Sequence, residues 1–165
     1  HRGASPSATP GVICVGAVAT AVNTSNFERK ATFSCSGPRV DVFAPGYSIM
    51  GAYSSATYAY SAVQDPRSSV STSSGAMYWQ NAISGTSQAT PQVTGLLACV
   101  LQLKPTMSPA DARSWIKTVG VKDKLSETDI NANTSSYTNQ QALLGAANSV
   151  LYMPYNLPDP LVIRG

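Results

Sequence analysis

The sequence predicts an α/β fold built on a parallel sheet, and three features predict it. Gly11 to Val18 is a continuous apolar run bounded by Pro and Gly. Such a run reads as a strand buried on both faces, as parallel strands between helices are. Thr86 to Leu103 carries Ala89, Val93, Leu96, Leu97, Val100, Leu101 and Leu103 with almost no charged face, so it reads as a helix enclosed within a domain. Ser108-Pro109-Ala110-Asp111 then opens a second helix with an N-cap serine, proline at the first helical position and an acid in the first turn.

The remaining elements follow in chain order. After a polar loop around Asn23 to Lys30 come Ala31-Thr32-Phe33-Ser34 and then Arg39 to Gly46, a short strand stopped by Pro45-Gly46. Tyr53 to Asn81, rich in Ser, Tyr and Ala without clear periodicity, reads as a long surface excursion able to hold a hairpin. Pro91 is compatible with the first helix because it falls in the opening turns, where backbone N–H groups lack partners anyway. Lys104-Pro105 ends that helix. The second runs through Lys117 with Ala112, Trp115 and Ile116 facing inward, and Trp79 and Trp115 read as packing residues. Gln140 to Tyr152 is a third helix candidate. Residues 1–153 are thus expected to form one domain, and 154–165 a Pro-rich extended tail.

Composition narrows the function classes. At 165 residues with 43% hydrophobic and 12% charged content, the chain is long enough to bury a sizeable core. The net charge of +3 is scattered with no basic run, which argues against a nucleic-acid partner. No apolar stretch approaches the roughly 20 residues that span a bilayer. Cys14, Cys35 and Cys99 cannot all pair within the chain, and without CxxC spacing they read as buried free thiols. Asn23-Thr24-Ser25 and Asn133-Thr134-Ser135 fit glycosylation acceptors, a short pattern that also arises by chance.

The chemistry is concentrated in Ser84-Gly85-Thr86-Ser87-Gln88-Ala89-Thr90-Pro91-Gln92-Val93-Thr94-Gly95. A serine hydroxyl becomes a nucleophile when a base takes its proton and fixed donors receive the oxyanion. A sharp turn into a helix N-terminus presents the hydroxyl and aims unpaired N–H groups at the reacting carbonyl. These residues resemble the G-T-S-x-A-x-P nucleophile motif of the subtilisin-like serine peptidases, the subtilases. Two further landmarks match that family in order. Ser5-Pro6-Ser7-Ala8-Thr9-Pro10-Gly11-Val12-Ile13-Cys14-Val15-Gly16-Ala17 is similar to its S/Y-P-A…V-I-x-V-G-A segment. Phe33-Ser34-Cys35-Ser36-Gly37 through Val40-Asp41-Val42-Phe43-Ala44-Pro45-Gly46 is similar to F-S-N-x-G…V-D-x-x-A-P-G. With the helix pair after the nucleophile motif, the resemblance covers residues 5 to about 118.

The resemblance implies a subtilisin-like three-layer fold of which this chain supplies the C-terminal portion, as a cleavage product or as part of a longer protein. It implies Ser87 as nucleophile, with its own backbone N–H donating to the oxyanion and Thr86 beside that site. Gly85 would serve the tight turn, and Gly95 a close approach of the helix to a neighbour. Ala4, Ser5 and Pro6 fall where relatives line one wall of the substrate pocket; an ordinary strand-entry turn is the alternative. In proteinase-K-like relatives the Asp matching Asp41 can bind calcium with backbone carbonyls near Pro10 and Val12; a loop-stabilising hydrogen bond is the alternative there, and no cofactor is otherwise required. Gln88 and Gln92 stand where the family often has Met and His.

The family's Asp, His and oxyanion Asn all precede the first landmark, and the single histidine here is His1. His1 lacks the family's G-H-G-T setting. The expectation is therefore a serine endopeptidase acting on polypeptides, active only with an Asp- and His-bearing N-terminal half and inert as this fragment alone. A catalytically inactive scaffold with a structural or protein-binding role is the alternative. The family favours an extracellular setting, although the cysteines leave the compartment open.

Overall fold

The apolar run that begins at Gly11 enters a sheet only at β1 (Val15–Ala19). Its first residues turn instead, with Thr9 N–H donating to Pro6 O and Val12 N–H to Thr9 O. Gly11 completes that turn at φ +82°, a left-handed conformation that glycine adopts without a Cβ penalty. The computed structural model describes residues 6–19, 29–53, 68–71, 77–125 and 143–152. They fall into two units, one drawn from residues 1–47 and 85–165, the other from Ser48–Ser84.

The first unit is built on a five-stranded sheet of order β2-β1-β3-β8-β7, comprising β2 (Arg29–Lys30), β3 (Val42–Pro45), β7 (Val121–Lys122) and β8 (Ser149–Val150) besides β1. β1 pairs parallel with β3 and β3 parallel with β8, whereas β2 and β7 add antiparallel to the flanks. The central strands obey the period of two that pleating imposes. Val42 and Ala44 face one layer with Ala17, and Phe43 faces the other with Val18. Both faces are covered, so these strands read as unbroken apolar runs. Gly16 is required by this packing: a Cβ there would lie 2.3 Å from the Phe43 ring.

Two helices cover the first face, α1 (Thr86–Leu103) and α2 (Pro109–Val119). α1 buries Ala89, Val93, Leu96 and Val100, a single stripe at helical spacing. α2 begins with a complete capping box: Ser108 Oγ accepts from Asp111 N–H, and the Asp111 carboxylate accepts from Ser108 N–H, each at 3.2 Å. Its apolar residues are those expected, Ala112, Trp115 and Ile116, and it ends two residues beyond Lys117. Leu125, Leu143 and Ala146 pack with Phe43 on the opposite face.

Ala31 to Ser34 forms a turn: Ser34 N–H donates to Ala31 O, and Ser34 Oγ accepts Ala17 N–H at 2.9 Å. Two expectations need correction. The described part of Gln140–Tyr152 is not helical. Leu144 and Gly145 adopt positive φ, and the chain then enters β8, with Leu151 N–H donating to Phe43 O. Pairing with the central strand overrides the local helical composition. Finally, Cys35 and Cys99 are exposed and Cys14 is half-buried; all three are free thiols.

The second unit is a three-stranded antiparallel sheet of order β4-β6-β5, from β4 (Ile49–Ala52), β5 (Ser68–Ser71) and β6 (Met77–Ile83). β5 and β6 form the hairpin that the excursion was expected to hold. Asn23, Asn133 and the tail 154–165 lie outside the described residues. No helix among the described residues is long and apolar enough to cross a membrane.

Candidate functional site

Ser87 occupies the second position of α1 and is exposed, at the end of the sheet where the parallel strands β1 and β3 finish. Open α/β sheets place their ligand sites at that end. Gly85 enters the helix in an extended conformation, no side chain caps the helix start, and its first turn holds no acid. The opening N–H groups and the positive end of the helix dipole are therefore not quenched by a local carboxylate.

Backbone contacts hold this turn in place. Gly85 N–H donates to Gly46 O at 2.7 Å, and Gly46 N–H donates to Val18 O at 3.1 Å. A link thus runs from the turn before Ser87 to the end of β3 and on to β1. Gln92 adds a second tie, its Nε2 donating to Pro45 O at 2.6 Å and to Gln88 O at 3.1 Å. Gly46 has no room for a side chain, since a Cβ would stand 2.5 Å from Ala17 Cβ and 2.8 Å from Gly85 O. Gly85 is crowded too, with Gln88 Oε1 lying 2.7 Å from where its Cβ would be. The sequence marked Gln92 only as a departure from the family pattern; its contact with residue 45 carries no local signal.

Thr86 and Ser87 are adjacent and accessible as expected, Thr86 half-buried and its carbonyl accepting from Thr90 Oγ1 at 2.8 Å. Ala4, Ser5 and His1 lie outside the described residues. Pro6 is exposed in the turn that its carbonyl closes with Thr9. An open groove of about 320 Å³ runs beside α1 between Ile13, Val15, Val93, Thr94 and Leu97, and Ser87 is not among its walls.

Asp41 stands at the opposite, amino end of β3, five residues or roughly 16 Å of extended chain from Gly46. It is fully buried. Its Oδ2 accepts from Cys14 N–H at 3.0 Å and Arg39 Nη1 at 2.7 Å. Arg113 grips both oxygens, with Nε at 3.0 Å from each and Nη2 at 2.9 Å from Oδ1. Lys117 Nζ lies 3.0 Å from Oδ1. Burial pushes the carboxyl up, but the hydrogen bonds from Arg113, Cys14 N–H and Lys117 outweigh it and hold the group below the usual carboxylate range. Val12 O, another donor in the calcium expectation, accepts from Arg39 Nη2 at 2.6 Å. Among the described residues no group of three or more His, Cys, Asp or Glu side chains could hold a metal. Calcium takes six to eight oxygens, and here the oxygens of Asp41 and Val12 already serve three cationic side chains. The donor set does not suit that ion.

Residues 2–144 match the model of the subtilase family, Peptidase_S8. The chain is 30% identical over 138 residues to Subtilisin-like protease 2 of Pseudogymnoascus destructans, covering 84% of this chain and 28% of that protein. To Subtilisin E of Bacillus subtilis it is 34% identical over 112 residues, covering 68% of this chain and 22% of that protein. Among solved structures it is similar to a cold adapted subtilisin-like serine proteinase, with a TM-score of 0.56 and 25% identity over 92% of this chain and 40% of the other. The chain spans about a quarter of the length of these curated relatives.

Proposed function

Since the chain belongs to the subtilase family of serine peptidases, we propose that it supplies the nucleophile portion of a serine endopeptidase whose Asp and His come from a complementary segment. The observation that carries this reading is the presentation of Ser87: exposed, on an uncapped helix start, beyond strand ends that hold its turn through Gly46 and Gln92. In the completed site Ser87 Oγ bonds to the carbonyl carbon of the peptide as its proton passes to the imidazole. The Ser87 N–H, at the positive helix end, receives the carbonyl oxygen as it becomes an oxyanion. Collapse of that adduct breaks the C–N bond, and the imidazolium returns the proton to the departing amine. Water then takes the same route to release the acyl group. Loss of the histidine costs subtilisin on the order of 10⁶ in turnover, so the portion in hand is expected to be inert alone.

The surface of α1 supports a complementary segment. The helix contains no charged residue over its 18 positions, yet Gly95, Ala98, Cys99, Leu101 and Leu103 are exposed. A charge-free helix of this kind ordinarily lies inside a protein. In the proposed assembly the Asp- and His-bearing segment covers this side.

The test is fluorophosphonate labelling of the complete protein, with the adduct mapped by mass spectrometry and Ser87→Ala as control. The adduct is expected on Ser87 alone, lost in the control. A folded complete protein that takes no label at Ser87 would overturn the reading in favour of an inactive scaffold.

A further inference from the structure

We propose that the guanidinium of Arg39 is the permanent cation of the Asp41 site, standing between Val12 and Asp41 where the family resemblance places calcium. This inference concerns the amino end of the sheet and does not depend on the peptidase reading.

The geometry is that of a bridge. One nitrogen of Arg39 reaches Val12 O at 2.6 Å and the other reaches Asp41 Oδ2 at 2.7 Å. A planar fork with two parallel donors matches two oxygens held side by side, which a single ammonium does not. Arg39 lies two residues before Asp41, in the turn that Val40 N–H closes on Gly37 O just ahead of β3. Arg113 and Lys117 are four apart on α2 and share a helix face, and both meet Asp41 from the other side.

Two consequences exclude a metal ion at this point. The Asp41 carboxylate offers about four lone-pair positions, and the contacts from Cys14, Arg39, Arg113 and Lys117 use them all. Three cations around one carboxylate also leave a local surplus of two positive charges, and a divalent cation would enter against that field. The knot performs what a structural ion would: it fastens the entry of β1 at Val12 and Cys14, the entry of β3 at Asp41 and the middle of α2.

The experiment is thermal unfolding of the complete protein in millimolar calcium and in chelator, for the natural protein, Arg39→Met and Asp41→Asn. Arg39→Lys serves if Arg39→Met does not fold. Arg39→Met is expected to melt several degrees lower in chelator, with a calcium response no smaller than that of the natural protein, because removing the guanidinium can only ease metal entry. The proposal is overturned if Arg39→Met melts with the natural protein in chelator. It is equally overturned if Asp41→Asn folds and abolishes a calcium stabilisation that the natural protein shows.

Discussion

Gly46→Ala tests whether the turn that presents Ser87, the proposed nucleophile, is held by the end of β3. The new methyl would lie 2.5 Å from Ala17 Cβ and 2.8 Å from Gly85 O, both well short of ordinary contact at 3.4–4 Å. Ala17 cannot yield, being fully buried within β1 and paired with Ala44. Gly85 O cannot turn away without losing the N–H of Gln88. Overpacking of this kind costs about 1–3 kcal/mol, which at a urea dependence near 2 kcal/mol per molar lowers the midpoint by about 0.5–1.5 M. The clash is relieved by moving Gly46 from Gly85, which lengthens their 2.7 Å hydrogen bond and shifts Ser87. A misplacement of about 1 Å can lower an enzyme's rate on the order of 10²-fold. Urea titration and the rate of fluorophosphonate labelling, both on the complete protein, measure the two effects. Gly51→Ala is the control, because a Cβ there meets nothing within 4 Å. If Gly46→Ala unfolds and labels like the natural protein, the Gly46–Gly85 contact does not position Ser87.

Three further outcomes are expected. At Gly95 of this chain a Cβ meets open space, so helix propensity alone would make Gly95→Ala stabilising by about 1 kcal/mol; the proposed covering segment predicts a fall in melting temperature in the complete protein, and a rise would show that side uncovered. Asp41 has its folded pKa held below the ordinary value, so its stabilisation is full above about pH 4 and is lost as pH falls through that lower value; acid unfolding followed by circular dichroism should show this limb in the natural protein and lack it in Asp41→Asn. Gln88, folded back over Gly85 next to Ser87, carries no oxidisable sulfur, so dilute peroxide should leave Ser87 labelling intact, and rapid loss with an oxidised residue mapped beside Ser87 would contradict its placement.

What the sequence revealed was mostly what neighbours along the chain decide. The second helix was legible because serine cap, proline and acid lie within four residues, and the structure shows Ser108 and Asp111 bonded as that spacing requires. The turn into Ser87 was legible as a motif, but the contacts that hold it span 39 residues from Gly46 to Gly85 and 47 from Pro45 to Gln92. β8 was misread for the same reason: a composition of Gln, Ala and Leu favours a helix until Phe43 offers a parallel partner. The knot at Asp41 was half visible. Arg39 beside Asp41 and Arg113 four before Lys117 are each ordinary pairs, and only the fold brings them together across 72 residues.

The first helix presents the reverse case, where the local pattern says more than the chain's own packing. Its extent was read to the residue, and the absence of charge implied enclosure on every side. Among the described residues, packing encloses one stripe and leaves Gly95, Ala98 and Cys99 exposed. Propensity cannot account for such a face: an exposed helical surface gains solubility from Lys and Glu at no cost in helicity, and gains stability from alanine in place of glycine. Small uncharged residues become favourable there when another surface approaches closely enough to exclude long side chains. In the proposed assembly that surface belongs to the complementary segment, and the uncovered side lies on the same helix that begins with Ser87. Covering that side and completing the surroundings of Ser87 are two requirements that the proposed segment would satisfy together.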